Sequence, residues 1–158
     1  MTRVRHTLYI IITALTMLLS LSSCDGNVIF YTFCHTPIEG WEKNDTLTFD
    51  VPRMQSSGRY RLEVGMRTDS AFPFTGMSII VEQTVIPGYK TYVDTLKCRF
   101  ADEKGNILGR GISNYQYEFI LSDLDLHRGD SLHVTVRHLM KREILPGVSD
   151  VGLKIRKK

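Results

Sequence analysis

Histidine, cysteine and acidic residues are the side chains here with chemistry to offer, and their spacing decides what they can do together. Four of the five histidines, His35, His127, His133 and His138, lie in the body of the chain. His133 and His138 share one alternating run, Ser131–Met140, five residues apart. An odd separation on a strand puts them on opposite faces, so they cannot jointly hold a metal from that strand. His138 is in phase with Leu132, Val134 and Val136, the pattern of a hydrogen-bonded core histidine. His127 stands in a turn with Asp123, Asp125 and Asp130, which would hold a cation only weakly. The spacing lacks the glycine and terminal glutamate of a calcium loop. Gly105-Asn-Ile-Leu-Gly109-Arg-Gly111 precedes no helical stripe, which a phosphate cradle would need. No Cys-x-x-Cys pair and no Gly-x-Ser-x-Gly elbow occurs. The expectation is therefore a protein without catalytic residues, resident metal or cofactor.

The three cysteines divide by context. Arg3 and Arg5 precede an apolar run from Leu8 to Leu21, the layout of a secretory signal peptide and too short for the ~20 residues of a membrane span. Leu21-Ser22-Ser23-Cys24 closes that run and resembles the bacterial lipobox, which makes Cys24 the lipid attachment point and residues 1–23 a lipoprotein signal peptide. Removing those residues leaves 135 and takes away two arginines, so the formal charge falls from +3 to +1. A nearly neutral surface with no Lys/Arg run longer than the Arg156–Lys158 tail does not predict nucleic-acid binding. Cys34 and Cys98 remain. An oxidising envelope permits a disulfide between them, worth ~4 kcal/mol in chain entropy. Two buried free thiols are the alternative, and Cys98, in phase with Leu96 and Phe100, suits it.

The elements that must position these residues are strands. Thr46–Val51, Arg59–Arg67, Thr91–Phe100 and Ser131–Met140 alternate with period two, and Val28–Phe33, Met77–Val85, Tyr115–Leu121 and Val148–Ile155 are β-type apolar runs. Met77–Val85 is a more continuous apolar strand, with Ile79-Ile80-Val81 at its centre, which predicts burial on both faces. Proline, glycine and serine clusters separate the runs, and Asp123–Gly129 has room for a single helical turn. About eight short strands predict an all-β, antiparallel β-sandwich, jelly-roll-like or immunoglobulin-like. The chain divides into a signal peptide (1–23), a lipid-anchored tether with the first strand (24–46) and a sandwich domain (47–158).

Four triplets, Asp45-Thr46-Leu47, Asp69-Ser70-Ala71, Asp94-Thr95-Leu96 and Asp130-Ser131-Leu132, read Asp–Ser/Thr–aliphatic, several times the number composition predicts. They are similar to the O-glycosylation sites of secreted Bacteroidetes proteins, which makes Thr46, Ser70, Thr95 and Ser131 candidate glycan acceptors. Strand-start turn chemistry explains such pairs equally well.

Longer motifs carry a family resemblance. Gly40-Trp41 leads through an acidic-polar turn into a strand, and Phe72-Pro73-Phe74 and Asp94-Thr95-Leu96 follow. Next comes Ala101-Asp102-x-x-Gly105-x-x-Leu108-Gly109-x-Gly111. The chain ends with His138-x-Met140-Lys141, Leu145-x-Gly147 and Asp150-Val151-Gly152-Leu153-Lys154-Ile155. Over nearly the whole mature length this resembles the GldH family of gliding-motility-associated lipoproteins, with Lys141 standing where an Arg is frequent and Leu108 where an aromatic is. The resemblance implies a non-enzymatic protein, held in the cell envelope by lipid on Cys24 at the periplasmic side of the outer membrane. Its partners would be other envelope proteins. Trp41, Phe72, Phe74, Arg137 and Lys141 are the candidate partner-binding residues, since aromatics and Arg are enriched at interfaces. A glycan-binding module of a polysaccharide-uptake system is the alternative, because jelly rolls readily bind sugars.

Overall fold

The structure, a computed structural model, describes residues 27–158; the signal peptide and Cys24 lie outside the described residues. Ten strands run through them: β1 (Val28–His35), β2 (Trp41–Glu42), β3 (Leu47–Val51), β4 (Gly58–Thr68), β5 (Gly76–Ile86), β6 (Lys90–Arg99), β7 (Tyr115–Leu126), β8 (Ser131–His138), β9 (Ile144–Leu145) and β10 (Val148–Lys157). One antiparallel sheet has the order β1-β10-β4-β7 and the other β3-β8-β5-β6, while β2 and β9 form a two-stranded patch. The eight long strands are those expected from the alternating and apolar runs, and the two short ones are the additional pair.

Period-two patterning builds the core. Tyr60, Leu62, Val64 and Met66 of β4 and Val151, Leu153 and Ile155 of β10 are buried from the first sheet. Phe49 and Val51 of β3, Val134 and Val136 of β8, and Met77, Ile79 and Val81 of β5 are buried from the second. Facing inner surfaces of this kind are how two sheets stack about 10 Å apart and exclude water. The expected double-sided burial of β5 is not found. Its outer positions Ser78, Ile80, Glu82 and Thr84 are only half-buried, because the outer row pairs Ile80 with Arg137 and Thr95, side chains that keep their polar ends in water.

The strand expected at Tyr115–Leu121 continues to Leu126. A bulge explains the shortfall: β4 pairs Leu62 with Ser122 but Glu63 with Ile120, leaving Leu121 as the extra residue. The inward phase then passes from Tyr117 and Phe119 to Ser122, Leu124 and Leu126, so strict alternation ends while the strand does not. Ser122 puts its hydroxyl into the core, where it donates to Gln83 Oε1 at 2.8 Å, and Gln83 Nε2 donates to Asp94 Oδ2 at 2.7 Å. Gln83 is fully buried, and these bonds join the facing sheets across β5 and β7.

The first and last strands are neighbours. β1 pairs along its length with β10, and Lys157 N–H extends the ladder to the Asn27 carbonyl at 2.8 Å. Gly152 and Gly65 sit side by side in the middle of this sheet, and the Phe33 ring lies over both. A Cβ on Gly152 would stand 2.7 Å from that ring. The Arg67 guanidinium lies 3.9 Å from the Phe33 centroid. Glycine at both positions is thus required by close packing across strands. The centre of β10 is the most demanding part of this sheet. Leu153→Ala is expected to lower unfolding free energy by about 2–5 kcal/mol, read as a reduced urea midpoint at unchanged slope.

Candidate interaction surface

The sandwich has two ends. At the near end Asn27 meets Lys157, and the turns after β3, β5 and β7 cluster there. The far end carries the connections 36–46, 69–75, 100–114 and 139–147, and most of the residues singled out in the sequence lie in them.

Trp41 is not a surface residue. It is 0% exposed, pairs with Leu145 through β2 and β9, and donates its indole N–H to the Asp45 carbonyl at 3.0 Å. Gly40 has φ of +120°, and a Cβ there would stand 2.8 Å from the Leu145 carbonyl oxygen. Gly40-Trp41 is therefore a plug: the glycine permits close approach to β9, and the indole seals the core beneath. The correction has a simple cause, since an indole with one buried N–H partner gains more by filling the sandwich end than by facing water.

His138 lies under that plug, fully buried and edge-on to Trp41 with ring centroids 5.2 Å apart. Its Nδ1 accepts the Met140 N–H at 3.4 Å, and burial lowers its pKa, favouring the neutral ring. His133 faces the other side of β8 and meets Asp50 at 2.7 Å. His35 contacts Asp150, and His127 lies 3.6 Å from Asp130. The histidines are thus dispersed, and among the described residues no three His, Cys, Asp or Glu side chains converge as metal ligands.

The other aromatics form a second plug. Phe72 meets Phe74 at 5.6 Å and Phe100 at 5.0 Å edge-on, and Phe100 leans on Tyr117 at 4.6 Å. Phe72 and Phe74 are half-buried by these contacts. Gly147, with φ of +77°, lies so close to Phe72 that a Cβ would fall 2.1 Å from its amide nitrogen, and a Cβ on Gly109 would strike the Tyr117 ring at 2.6 Å. The Ala101-Asp102-x-x-Gly105 motif is a self-capped loop. Asp102 Oδ1 accepts the Lys104 and Asn106 amides at 2.8 Å each, and Asp102 Oδ2 accepts Asn106 Nδ2 at 2.8 Å. These bonds hold the Asp102 carboxyl below its ordinary pKa, and Gly105 turns the chain at φ +83°.

Once these plugs are in place, aliphatic side chains are left outside. Ile38 is 100% and Ile112 92% exposed, and Ile107, Leu108, Leu139 and Ile144 are exposed on the same loops. Arg137 and Lys141 are exposed nearby. Arg99, Leu108, Arg110, Tyr117 and Phe119 line a cleft of about 820 Å³ beside loop 100–114. The aromatic candidates are thus largely packed inward, and the exposed apolar side chains at this end are aliphatic. The available signal was an isoleucine flanked only by turn-forming or polar residues, as in Pro37-Ile38-Glu39 and Gly111-Ile112-Ser113.

Of the candidate glycan acceptors, Thr46, Ser70 and Thr95 are exposed and Ser131 is half-buried. Three of their four aspartates hold local hydrogen bonds through their side chains. Asp69 Oδ1 accepts the Ala71 amide, Asp130 Oδ2 accepts the His127 amide, and Asp94 accepts Gln83. Cys34 and Cys98 lie in different sheets as free thiols. Cys34 donates to the Thr48 carbonyl at 3.6 Å, while burial pushes Cys98 up to about 12.

This is a β-sandwich whose sealed far end presents loops with exposed aliphatic side chains. The family model described as GldH lipoprotein matches residues 28–155, and the chain belongs to that family. It is 28% identical over 145 residues to the gliding motility lipoprotein GldH of Flavobacterium johnsoniae, covering 87% of this chain and 90% of that one. It is 22% identical over 145 residues to a GldH homolog of Christiangramia forsetii, covering 86% and 88%. Among solved structures, a family 35 carbohydrate-binding module from Clostridium thermocellum aligns at a TM-score of 0.41 with 12% identity, over 82% of this chain and 90% of that one.

Two measurements check the buried chemistry. Maleimide should label Cys34 in the native protein and reach Cys98 only on unfolding, because Cys98 is buried and protonated at neutral pH. His138, whose folded pKa is lowered, binds its proton more weakly than the unfolded ring at ~6.5. Stability should therefore fall as pH drops below about 6.5 and level off once the folded pKa is passed. Urea titrations across that range should show a shallower slope for His138→Leu than for the wild type.

Proposed function

We propose that this protein is a non-enzymatic, lipid-anchored envelope lipoprotein that binds other envelope proteins in a gliding-motility-type assembly through the loops at its far end. The observation that carries this reading is the gathering of six exposed aliphatic side chains, including Ile38 and Ile112, on those loops. Six aliphatic side chains kept in water on the loops of one end exceed the scattered singles of an ordinary surface. Family membership supports it, because the relatives bear the name of gliding motility lipoproteins. The anchor is the lipid on Cys24, placing the domain at the periplasmic side of the outer membrane. Arg137 and Lys141 belong to the polar rim of such a surface, while Trp41, Phe72 and Phe74 hold its loops in shape from beneath. Thr46, Ser70 and Thr95 are the acceptors a glycosylating host would reach.

The Arg99–Arg110 cleft is the feature a glycan-binding module would use, and the experiment separates the two readings. The protein with Cys24 intact is crosslinked in native membranes and recovered by affinity tag. Specific envelope partners should co-purify, and Ile38→Glu with Ile112→Glu should reduce their recovery about tenfold or more at unchanged melting temperature. Recovery of the protein alone, with tight oligosaccharide binding lost in Arg110→Ala, would establish the glycan reading instead.

A further inference from the structure

The near end of the sandwich differs from the far end in charge. Arg53, Arg59, Lys90, Arg128, Lys157 and Lys158 cluster on its turns and strand ends. The acids there are Asp50, Asp123, Asp125 and Asp130. Asp50 meets His133 at 2.7 Å, Asp123 is engaged by Arg61 at 2.9 Å, Lys158 at 2.7 Å and Arg59 at 3.8 Å, and Asp130 accepts the His127 amide. Six cations thus face four acids, and among the described residues Arg53, Lys90, Arg128 and Lys157 have no acidic partner. The far-end connections 36–46, 69–75, 101–114 and 139–147 carry five cations and seven acids. Arg67, Arg99 and Arg137 at the far strand ends add to those cations, so the far end is nearly balanced and the basic excess lies at the near end.

Hydrogen bonds fix the basic end as one surface. Gly129 N–H donates to the Met54 carbonyl at 2.9 Å, Met54 N–H to the Asp130 carbonyl at 2.7 Å, and Arg128 N–H to Ser57 Oγ at 2.9 Å. Lys157 Nζ reaches Ser56 Oγ at 2.8 Å. These bonds join the turn after β3, the turn after β7 and the end of β10. The β5–β6 hairpin stands beside them, since Ile86 pairs with Ser131. Its tip holds Tyr89, 74% exposed and at φ +50°. A non-glycine residue is disfavoured in that conformation, so an aromatic ring is carried outward at a position where glycine would be easier.

Chain length then sets what this end can meet. Asn27 is already bonded to Lys157, so three peptide links separate Cys24 from the folded sheet. Fully extended they span about 11 Å. A lipid on Cys24 therefore holds the basic end, and no other part of the domain, against the bilayer surface.

We propose that this near end docks on the anionic phospholipid headgroups of the bilayer that holds the anchor, with Arg53, Lys90 and Arg128 facing the phosphates and Tyr89 entering the interfacial layer. The inference rests on lipidation of Cys24. Cations near an anionic surface strengthen attachment by about fivefold each, and tyrosine favours the headgroup level.

The full-length processed protein, purified from native membranes, is reconstituted into vesicles of phosphatidylcholine alone or with about one third phosphatidylglycerol. Backbone hydrogen exchange is followed at the turns 52–57, 86–90 and 126–130. Exchange there should slow severalfold with phosphatidylglycerol. The slowing should vanish above about 0.5 M salt, where screening shortens to a few ångströms, and in the R53E/K90E/R128E variant. The far-end loops should exchange alike in both vesicles, which also reports that the variant is folded. Equal exchange of the near-end turns in the two vesicle types, with Cys24 acylated by intact mass, overturns the docking and leaves the anchor standing. An unacylated Cys24 overturns both. The wild-type comparison decides the matter even where the triple variant fails to fold.

Discussion

The pairing of β1 with β10 is the interaction on which the rest of the molecule depends. It brings the first strand of the folded domain against the last, over seven paired positions from Val28–Arg156 to His35–Asp150. β10 is then flanked on both sides, by β1 and by β4, so Val151, Leu153 and Ile155 become central core residues rather than a sheet edge. The Phe33 ring closes the arrangement from outside by occupying the space that Gly65 and Gly152 leave. Contacts of such long sequence separation are costly in loop entropy, and strands paired this way gain their stability only once the sheet is assembled.

The outer face of that sheet is organised by charge. Glu63 is buried although it points away from the sandwich core, beneath Lys154 at 3.7 Å and Arg156 at 3.3 Å. Lys154 also meets Glu118 at 3.1 Å, and Glu118 accepts the Tyr31 hydroxyl at 3.1 Å. The chain of partners runs from β1 to β7 across all four strands. Exposed ion pairs of this kind contribute little individually. Glu63 is different, because removing Lys154 and Arg156 together would strand a buried carboxylate. The Lys154–Glu63 pair, 11% and 10% exposed, is the nearly buried part of this network.

Much of this was legible in the sequence, and what was not has identifiable causes. Alternation located four of the eight long strands because one face of each must be apolar, as Tyr60, Leu62, Val64 and Met66 show most cleanly, and β-type apolar runs located the other four. Patterning failed at Leu121, where a one-residue bulge changes the inward phase. It misjudged β5, because Ile80 makes an outer face read as apolar when only one isoleucine occupies it. The opposite placement of His133 and His138 followed directly from parity. The partner surface was the hardest to see. Residue type alone cannot tell a tryptophan that plugs from one that binds, and Trp41 plugs because Gly40 lets it reach Leu145. Ile38, a few residues earlier in the same connection, is fully exposed while Trp41 is fully buried.

The two ends of the domain acquire their meanings from one another. Strands β4 and β5 are eleven residues long, which at about 3.3 Å per residue is roughly 36 Å from end to end. A domain seated on a bilayer by its basic end holds the Ile38 and Ile112 loops at about that height, facing away from the lipid. A long flexible tether would allow those loops to search a wide volume in every orientation. Three peptide links allow very little of either, so partner geometry is set by the sandwich itself. Under that restriction the search for a partner becomes two-dimensional and pre-oriented, which raises effective concentration without any added contact. The same restriction explains a division of surface chemistry that protein binding alone does not require. The unpartnered cations gather at the near end, while six of the nine aliphatic side chains exposed among the described residues lie on the far-end loops and Ile29 stands beside the tether.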